Sequence, residues 1–550
     1  MTDYKKIIYE AAKGVLPELD IADIQPSENF CDYCVPCFKY AKVLRKSPAV
    51  IAAEFAGALK IPGVEVSALN GYLNFTVERT ERVKSVFEDK ETLPLAGKTV
   101  CIDYSSVNIA KPFHIGHLMT TVIGGSLYKI YKSLGANVVG INHLGDFGTQ
   151  FGGLISAYRR WGNEARLSEC GLDELLELYV KYHNESEKDE ALAAEAREWS
   201  KKIEEGDGYA RGLFDKFKSI TLEQAKKVYD RLNIEFDSYL GESFYVDKVA
   251  AVEDKLKAKN LLKISDGAEI VEVGDDMPPA LIRRSDGASL YIARDLAAAY
   301  YRKETYDFDK CLYVVASHQA LHFKQLFKVL DSLGEPWAKD MVHVSYGMVS
   351  VEGMSLSTRR GNVLFLSDVL DAAVDKAAGI IDERNPDLEN KKEVSESVGV
   401  GAVVFDALYD GRVKDKNFSL EAALNFDGET GPYVQYTHAR CRSVLAKAAG
   451  DIGKISADDY KLLTSDGAYE VIKLLSDFEA VALDAALKYE PSFVSRRLVK
   501  ICQAFNRFYN SEKIMCGGSE QTARLALTQK VADTLKKGLS LILLDAPERM

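Results

Sequence analysis

The sequence predicts an α/β fold: a parallel, Rossmann-like sheet that carries an N-terminal α+β domain, a helical insertion and a C-terminal all-α domain. Short apolar runs separated by helical stretches are typical of strands in a buried parallel sheet. A long charged helical segment interrupts these runs, and helical periodicity fills the chain beyond about residue 370. The expected strands are Thr99–Tyr104, Val138–Asn142, Cys311–Ala316 and Val342–Tyr346.

Length and composition narrow the class of protein. The chain has 550 residues, which is too long for one core and indicates about three or four domains. It is 47% hydrophobic and 28% charged, as in globular proteins, and has no apolar run long enough to cross a bilayer. The net charge of −12 disfavours non-specific nucleic-acid binding but allows a specific RNA partner. We expect a cytoplasmic protein without a signal peptide, whose nine cysteines are reduced.

Residues 1–95 are expected to form a small domain of their own. Helical patterns cover Tyr4–Leu16 and Pro48–Leu59, and a β pattern covers Tyr72–Val77. The Pro and Gly of Glu91–Lys98 are typical of a linker, so the next domain begins there.

Residues 96–370 are expected to form the sheet domain. The charged helices at about 153–240 exceed what a crossover between two strands needs, which predicts a helical insertion. Leu281–Ile292 reads as two β runs around an Asp-Gly turn and predicts a hairpin. Residues 371–550 are expected to form the C-terminal helical domain.

The segment Cys101–Ile123 is the most informative part of the chain. It reads as a strand, a polar turn and the start of a helix, an arrangement whose N–H groups suit a phosphate-bearing ligand. Gly116 lets a flat ligand approach the backbone, and the imidazoles of His114 and His117 can hydrogen-bond phosphate oxygens. The four letters HIGH alone recur by chance, so the flanking residues decide.

With its flanks, this segment resembles the HIGH signature of class I aminoacyl-tRNA synthetases. The string SSVNIAKPFHIGH is similar to the arginyl-tRNA synthetases in particular, with Val107 in place of the family's usual proline. The resemblance implies the class I synthetase fold, with ATP and Mg²⁺ as cofactors. It implies Lys111, His114 and His117 as catalytic residues, and His114, Gly116 and His117 as ATP-binding residues.

A second string, Gly353–Gly361 (GMSLSTRRG), resembles the KMSKS loop, which covers the ATP phosphates in the same class. A glycine and a leucine replace the family's two lysines, so the charge that stabilises the departing pyrophosphate must come from elsewhere. Lys111 and either Arg359 or Arg360 are the available cations, and a solvated turn is the alternative explanation of the string. The resemblance implies ATP contacts from Met354, Ser355, Ser357 and Arg359.

An arginine side chain is a planar cation with five N–H donors, so its pocket needs carboxylates and other acceptors in fixed positions. Asp103 ends the first strand of the predicted sheet. The string SLYIARD resembles the family's SLYxTRD, and its Asp295 has an alternative role as the cap of a helix at Leu296–Tyr301. The resemblance implies that arginine is bound by Asp103, Ser105, Asn108, His117, Tyr291, Asp295 and Gln319.

The C-terminal string FDGETGPYVQYTHARCRSVL resembles the start of the helical anticodon-binding domain of the same family. Tyr436 and Arg440 are the expected RNA contacts, because an aromatic ring can stack on a base and a cation can bind a phosphate. Phe505 and Phe508 suit stacking as well, but their helical spacing favours a place in the core.

Cys31, Cys34 and Cys37 are close enough in sequence to suggest a metal site. Structural zinc takes four ligands, and no further cysteine lies in the same predicted domain. We therefore expect small buried thiols at these positions and no metal.

Together the resemblances imply an arginine–tRNA ligase that makes arginyl-adenylate from arginine and ATP and transfers the arginyl group to the 3′ end of tRNA(Arg). The expected partners are tRNA(Arg), L-arginine and ATP, the chain is expected to be a monomer, and no membrane is involved. Two alternatives stay open: a class I synthetase for another amino acid, and an inactive paralogue that binds tRNA. A small HxGH adenylyltransferase is disfavoured because it lacks a long helical tail.

Overall fold

The computed structural model describes residues 4–16, 18–27, 31–88, 90, 92–109, 111, 113–274, 277–285, 290–351, 365–448 and 455–550. The chain divides into two compact units. The first unit comprises residues 1–92, 440–480 and 500–535, and the second comprises residues 93–439, 481–499 and 536–550. Among the described residues, no helix is both long enough and apolar enough to cross a bilayer.

The second unit contains a central sheet of four parallel strands. In spatial order the strands are Met341–His343, Lys310–Tyr313, Thr99–Asp103 and Asn137–Ile141. The register places Asp103 beside both Tyr313 and Ile141. Because parallel strands end at one edge, the residues that follow them meet there, which is where open α/β sheets bind ligands. All four predicted strands and their parallel sheet are thus confirmed.

Helices pack against the central sheet. Leu118–Ser133 follows the strand Thr99–Asp103. Tyr291–Tyr306 precedes the strand Lys310–Tyr313, and Ala320–Leu333 follows it. Ala320–Leu333 buries an apolar stripe at helical spacing, so its amphipathic pattern explains its position. The buried members of this stripe are Phe323, Leu326, Val329, Leu330 and Leu333.

The charged segment after the strand Asn137–Ile141 is a group of helices. Three of them begin at a side chain that accepts a backbone N–H bond, namely Asn163, Asp189 and Asp207, which satisfies otherwise unpaired N–H groups. The helices are Thr149–Trp161, Glu164–Cys170, Leu172–Ser186, Glu190–Glu205 and Gly208–Arg231, followed by Glu242–Tyr245 and Val249–Ala258.

The hairpin predicted at Leu281–Ile292 is wrong. Ala280–Arg283 is a strand, but it pairs with Ala268–Val271, which in turn pairs with Leu262–Ser265. The second half begins the helix Tyr291–Tyr306, where a run of alanines favours a helix over a strand. The Asp-Gly turn itself lies outside the described residues.

Beyond residue 365 the described chain is helical with one exception. The strand Lys416–Phe418 pairs in parallel with Val349–Val351, which the helical prediction for this region missed. The helices are Leu366–Arg384, Lys391–Tyr409, Leu420–Ala423, Gly431–Lys447, Asp466–Ser476, Phe478–Leu487, Ser492–Ser511 and Gly518–Leu541.

The first unit has an antiparallel sheet with helices beside it. Its strands, in spatial order, are Gln25–Pro26, Tyr33–Pro36, Tyr72–Val77 and Val64–Leu69. Its N-terminal helices are Tyr4–Lys13, Ala41–Leu44, Pro48–Ala58 and Arg79–Glu88. Arg82 is only 1% exposed and pairs with Asp32 at 3.1 Å and Asp477 at 3.3 Å. This buried arginine ties the N-terminal helices to the part of the unit contributed by the C-terminal segment.

Candidate active site

The turn after the central strand Thr99–Asp103 has an unusual backbone. Ser105 and Ser106 both have positive φ, at 68° and 48°, a region that residues other than glycine seldom adopt. The Ser105 hydroxyl lies 2.8 Å from the Tyr229 hydroxyl and 2.9 Å from Thr121 Oγ1, and it is buried. The Ser105 hydroxyl therefore holds the strained turn against the helix that follows and against the insertion.

Backbone N–H groups hold each of the two histidines of the motif in one tautomer. His114 Nδ1 accepts a hydrogen bond from the N–H of Gly116 at 3.1 Å, and His117 Nδ1 accepts one from the N–H of His114 at 3.3 Å. Burial lowers the pKa of both imidazoles, that of His117 to about 3. Both rings are therefore neutral at physiological pH, with the proton on Nε2, and can each donate one hydrogen bond.

Gly116 has a structural role in addition to the one predicted. A Cβ atom at this position would lie 2.8 Å from Cε1 of the His114 ring. Glycine is therefore required so that the imidazole can fold back over its own helix start, at 4.0 Å between ring centroids from His117. The glycine thus positions the imidazole, and its role in letting the ligand approach the backbone stays a prediction.

Lys111 brings positive charge to the same place. Its charge contributes, after burial, to the low pKa values of His114 and His117. Burial lowers the pKa of Lys111 itself. The Nζ atom lies 5.8 Å from the ring centroid of Tyr179 on an insertion helix, within cation–π range.

Asp103 already has a cation from within the protein. Its Oδ2 accepts a hydrogen bond from Arg302 Nη2 at 2.7 Å, and its Oδ1 accepts one from the Ser106 hydroxyl at 2.9 Å. Both side chains of the ion pair are almost fully buried. Since an arginine does not deprotonate, the charge of Asp103 is permanently balanced.

Asp295 lies on the second turn of the helix Tyr291–Tyr306, so it does not have the alternative role of a helix cap. Its Oδ2 accepts a hydrogen bond from His322 Nε2 at 2.6 Å, and its Oδ1 lies 3.9 Å from His143 Nε2. Against the effect of burial, the hydrogen bond and the charge of His322 hold the pKa of this carboxyl below its usual value. Asp295 is therefore ionised, and its side chain keeps 25% of its surface exposed.

Tyr291, at the start of the same helix, is 63% exposed and available to a ligand. The Arg294 guanidinium lies 5.0 Å from its ring centroid and 4.6 Å from that of Phe147. Arg294 Nε also donates to Glu242 Oε2 at 3.0 Å, and burial raises the pKa of Glu242 to about 7. An arginine stacked between two rings thus supports the exposed tyrosine.

Two predicted amide side chains lie on loops at the same edge of the sheet. Asn108 forms a β-bridge with Gly145, whose missing side chain leaves room for the Asn108 amide. Gln319 ends a short 3-10 helix at Ser317–Gln319, directly before the helix that carries His322, and is exposed.

Asp146, in the string NHLGDFGTQFG, is buried and connects three segments of the chain. Its buried carboxylate accepts bonds from the backbone and hydroxyl of Ser243, both at 2.8 Å, and from Lys218 at 2.7 Å. A Cβ on Gly241 would collide with it at 2.4 Å. Its role is to fasten the loop after the strand Asn137–Ile141 to the insertion.

Some predicted residues receive no structural account. Met354, Ser355, Ser357 and Arg359, together with Arg360, lie outside the described residues.

In the C-terminal region, Tyr436 is 38% exposed. Arg440 donates to Asn506 at 2.7 Å and lies 5.6 Å from the ring centroid of Tyr509.

The remaining aromatic and cysteine predictions concern the first unit. Phe505 and Phe508 are fully buried, which confirms them as core residues. Cys31 and Cys37 are buried, and their thiols lie 3.5 Å from Asn74 Oδ1 and 3.7 Å from the Val35 carbonyl oxygen. Within the described part of the chain, no three His, Cys, Asp or Glu side chains converge on a possible metal position.

Sequence reasoning missed the residues that partner the predicted ones. They are Arg302, His143 and His322 around the two aspartates, and Tyr229 behind the turn. His322 lies three residues after Gln319, and its position on the first turn of a helix was a usable signal. Nothing local marks Arg302 or Tyr229, because only the packing of distant helices brings them to the strand.

Comparison with known proteins agrees along the whole chain. A family model described as the catalytic domain of class I (R) tRNA synthetases matches residues 83–420. The arginyl tRNA synthetase N-terminal domain matches residues 2–77, and the DALR anticodon-binding domain matches residues 434–550.

Individual proteins lead to the same family. The arginine–tRNA ligases of Clostridioides difficile and Alkaliphilus metalliredigens are 47% and 46% identical, and each alignment covers 100% of both chains. The solved Thermus thermophilus arginyl-tRNA synthetase superposes with a TM-score of 0.85 at 26% identity, over 99% of this chain and 100% of that one. This agreement in sequence and fold shows that the chain belongs to the arginyl-tRNA synthetase family, the class I enzymes that ligate arginine to tRNA.

Proposed function

We propose that the carboxyl edge of the central sheet divides the reaction between an ATP side (Lys111, His114, Gly116 and His117) and an arginine side (Asp103, Tyr291, Asp295 and Gln319). In the first step an arginine carboxylate oxygen attacks the α-phosphorus of ATP, the bond to the β-phosphate oxygen breaks, and pyrophosphate leaves. In the second step a ribose hydroxyl at the tRNA 3′ end attacks the arginyl carbonyl carbon, and AMP leaves. Neither step needs a side-chain nucleophile, so alignment and charge stabilisation carry the catalysis.

On the ATP side, His114 and His117 act as neutral donors to phosphate oxygens through Nε2–H. Their Nδ1 atoms already accept backbone hydrogen bonds, which supports this assignment. Lys111, close to both rings, stabilises the negative charge that grows on the pyrophosphate. Met354, Ser355, Ser357 and Arg359 remain predicted ATP contacts.

We also propose that ATP is used with Mg²⁺. Mg²⁺ is commonly held through substrate phosphates with few protein ligands. The absence of a three-ligand cluster among the described residues fits an ion that arrives with the nucleotide. When bound, the ion would neutralise phosphate charge beside Lys111.

On the arginine side, Asp295 is the proposed partner of the substrate guanidinium. It is ionised, partly exposed and carried by a rigid helix, and the exposed Tyr291 lies one turn away on the same helix. Asp103 contributes through the field of its pair with Arg302, and Gln319 supplies an acceptor. Asn108 and His117 bind the amino-acid backbone, while Ser105 remains a predicted arginine contact whose buried hydroxyl also positions the turn.

For the tRNA, Tyr436 is proposed to stack on a base, supported by its exposure, and Arg440 to bind a phosphate. The family model for the anticodon-binding domain covers both positions. We further propose a monomeric, cytoplasmic enzyme specific for tRNA(Arg).

The partly exposed carboxylate of Asp295, hydrogen-bonded to His322 at the carboxyl edge of the sheet, is the single observation that carries this proposal. The test is pyrophosphate exchange into ATP with each amino acid, with and without tRNA. Exchange with arginine and with no other amino acid supports the assignment. Exchange with another amino acid overturns the arginine side, and tRNA binding without any exchange identifies an inactive paralogue.

A further inference from the structure

Five charged or titratable side chains form a continuous chain across the carboxyl edge of the sheet. Arg302 Nη2 lies 2.7 Å from Asp103 Oδ2 and 3.3 Å from His143 Nδ1. His143 Nε2 lies 3.9 Å from Asp295 Oδ1, and His322 Nε2 lies 2.6 Å from Asp295 Oδ2. Each aspartate of the arginine side therefore has a cationic partner from the protein, but the two partners differ in chemistry.

His143 adds no charge to this chain. Its Nδ1 faces the guanidinium of Arg302, which can only donate, so Nδ1 must be unprotonated and accept. Burial lowers the pKa of His143, which keeps the ring neutral with its proton on Nε2. The 3.9 Å between His143 Nε2 and Asp295 exceeds hydrogen-bond distance, so His322 is the group that compensates the charge of Asp295.

The surroundings of His322 leave Asp295 as its one ion-pair partner among the described residues. His343, on the neighbouring strand, donates from Nε2 to the carbonyl oxygen of Val315 at 2.9 Å, and burial lowers its pKa, so it is neutral. Phe323 contacts the His322 ring edge to face. Against burial, Asp295 raises the pKa of His322, so the protonated form is favoured in the ligand-free protein.

We infer that protonated His322 is ion-paired with the Asp295 carboxylate in the ligand-free enzyme. Binding of the arginine guanidinium then releases the proton of His322 into solvent. This inference rests on Asp295 as the guanidinium site. The Nδ1–H bond of the imidazolium breaks, water or buffer takes the proton, and Nε2–H stays bonded to Asp295. The net charge then balances: before binding, Asp295 and His322⁺ sum to zero, and afterwards Asp295 and the guanidinium do.

Asp103 cannot take part in such an exchange, because its partner Arg302 has no proton to give up at accessible pH. His322 therefore determines which of the two carboxylates becomes available to the substrate. It also makes arginine compete with a proton. Since binding releases that proton, arginine affinity must rise with pH until His322 is neutral in the ligand-free enzyme, by at most about tenfold per pH unit.

The test is calorimetric titration of the full chain with L-arginine in buffers of different ionisation enthalpy, over about pH 6 to pH 9. For the wild type we expect release of up to about one proton per bound arginine, declining to none at the alkaline end. In His322→Gln, which keeps an N–H donor but cannot titrate, release should vanish and affinity should lose its pH dependence. His318→Gln, the same change on an exposed histidine of the preceding turn, should behave as wild type.

Unchanged proton release in His322→Gln, or none in the wild type while arginine binds, would overturn the inference and leave the proposed function intact. Failure of arginine to bind at any pH would overturn both. If His322→Gln does not fold, selective labelling of the eight histidines in the wild-type chain gives the answer by NMR. One histidine should titrate above the ordinary value and move to lower pKa when arginine is added; no such movement contradicts the exchange.

Discussion

The ATP side and the arginine side lie on one edge of one sheet, yet they treat charge in opposite ways. On the ATP side, His114 and His117 are kept neutral by burial and by the nearby charge of Lys111. On the arginine side, Asp103 and Asp295 are buried or half-buried carboxylates, each with a cation from the protein. The comparison teaches that each half matches its ligand: neutral donors and one cation suit phosphates, and compensated carboxylates suit a guanidinium.

The largest expected effect breaks the arginine side alone. Asp295→Asn keeps the shape of the side chain but removes its charge, so the guanidinium loses a charge-assisted hydrogen bond. That loss is about 1.5–3 kcal/mol, or roughly 10- to 150-fold in arginine affinity. ATP affinity should not change, as measured by the KM values in pyrophosphate exchange. Asp307→Asn, at the exposed C-terminal end of the same helix, is the control. Equal losses for both substrates would place the guanidinium elsewhere.

The next effect concerns the ATP side. Lys111→Ala should lower the rate of adenylate formation by at least about tenfold, because the departing pyrophosphate loses a stabilising positive charge. The arginine KM should stay within about twofold of wild type. Rapid-quench measurement of adenylate formation checks this. Lys132→Ala removes another lysine that lies over an aromatic ring, on the helix Leu118–Ser133, and should leave the rate unchanged. A near-normal rate for Lys111→Ala would transfer the role to Arg359 or Arg360.

A smaller change sharpens the role of Gly116. In Gly116→Ala, the new methyl group would lie 2.8 Å from the His114 ring and displace it. Overpacking of this kind costs about 1–1.4 kcal/mol or more, so kcat/KM for ATP should fall at least roughly five- to tenfold with the arginine KM unaffected. Gly212→Ala on the insertion helix, where a Cβ meets nothing within 4 Å, is the control. Wild-type ATP kinetics in Gly116→Ala would show that the His114 ring position is not critical.

A last effect is on stability and concerns protonation of the ATP side. The pKa of His117 is about 3 in the folded chain against an ordinary 6.5, so between these values the unfolded chain binds the extra proton. The free energy of unfolding should therefore fall as pH drops below 6.5, by up to about 1.4 kcal/mol per pH unit from this group. Urea unfolding of wild type and His117→Asn at a series of pH values measures the difference. An identical pH slope in the two proteins would mean that His117 is protonated when folded.

Local signals in the sequence were sufficient for part of this picture. Alternation of apolar runs and helices predicted the central strands, and the turn that carries HIGH was recognisable because its residues are contiguous. The Leu281–Ile292 hairpin failed because the helix preference of the alanine-rich half outweighed an Asp-Gly turn signal. The partners of the predicted residues were beyond reach for a different reason. Asp103 and Arg302 are 199 residues apart, and only strand register and helix packing bring them together.

The central claim, that the two sides act separately, is tested most directly by a cross-comparison. The arginine and ATP dissociation constants of Asp295→Asn and Lys111→Ala, each measured by equilibrium binding with tRNA present, form a two-by-two set. The account predicts that Asp295→Asn loses arginine affinity only and that any loss of affinity in Lys111→Ala is confined to ATP. If each variant loses affinity for both substrates by the same factor, the division of the sheet edge is wrong.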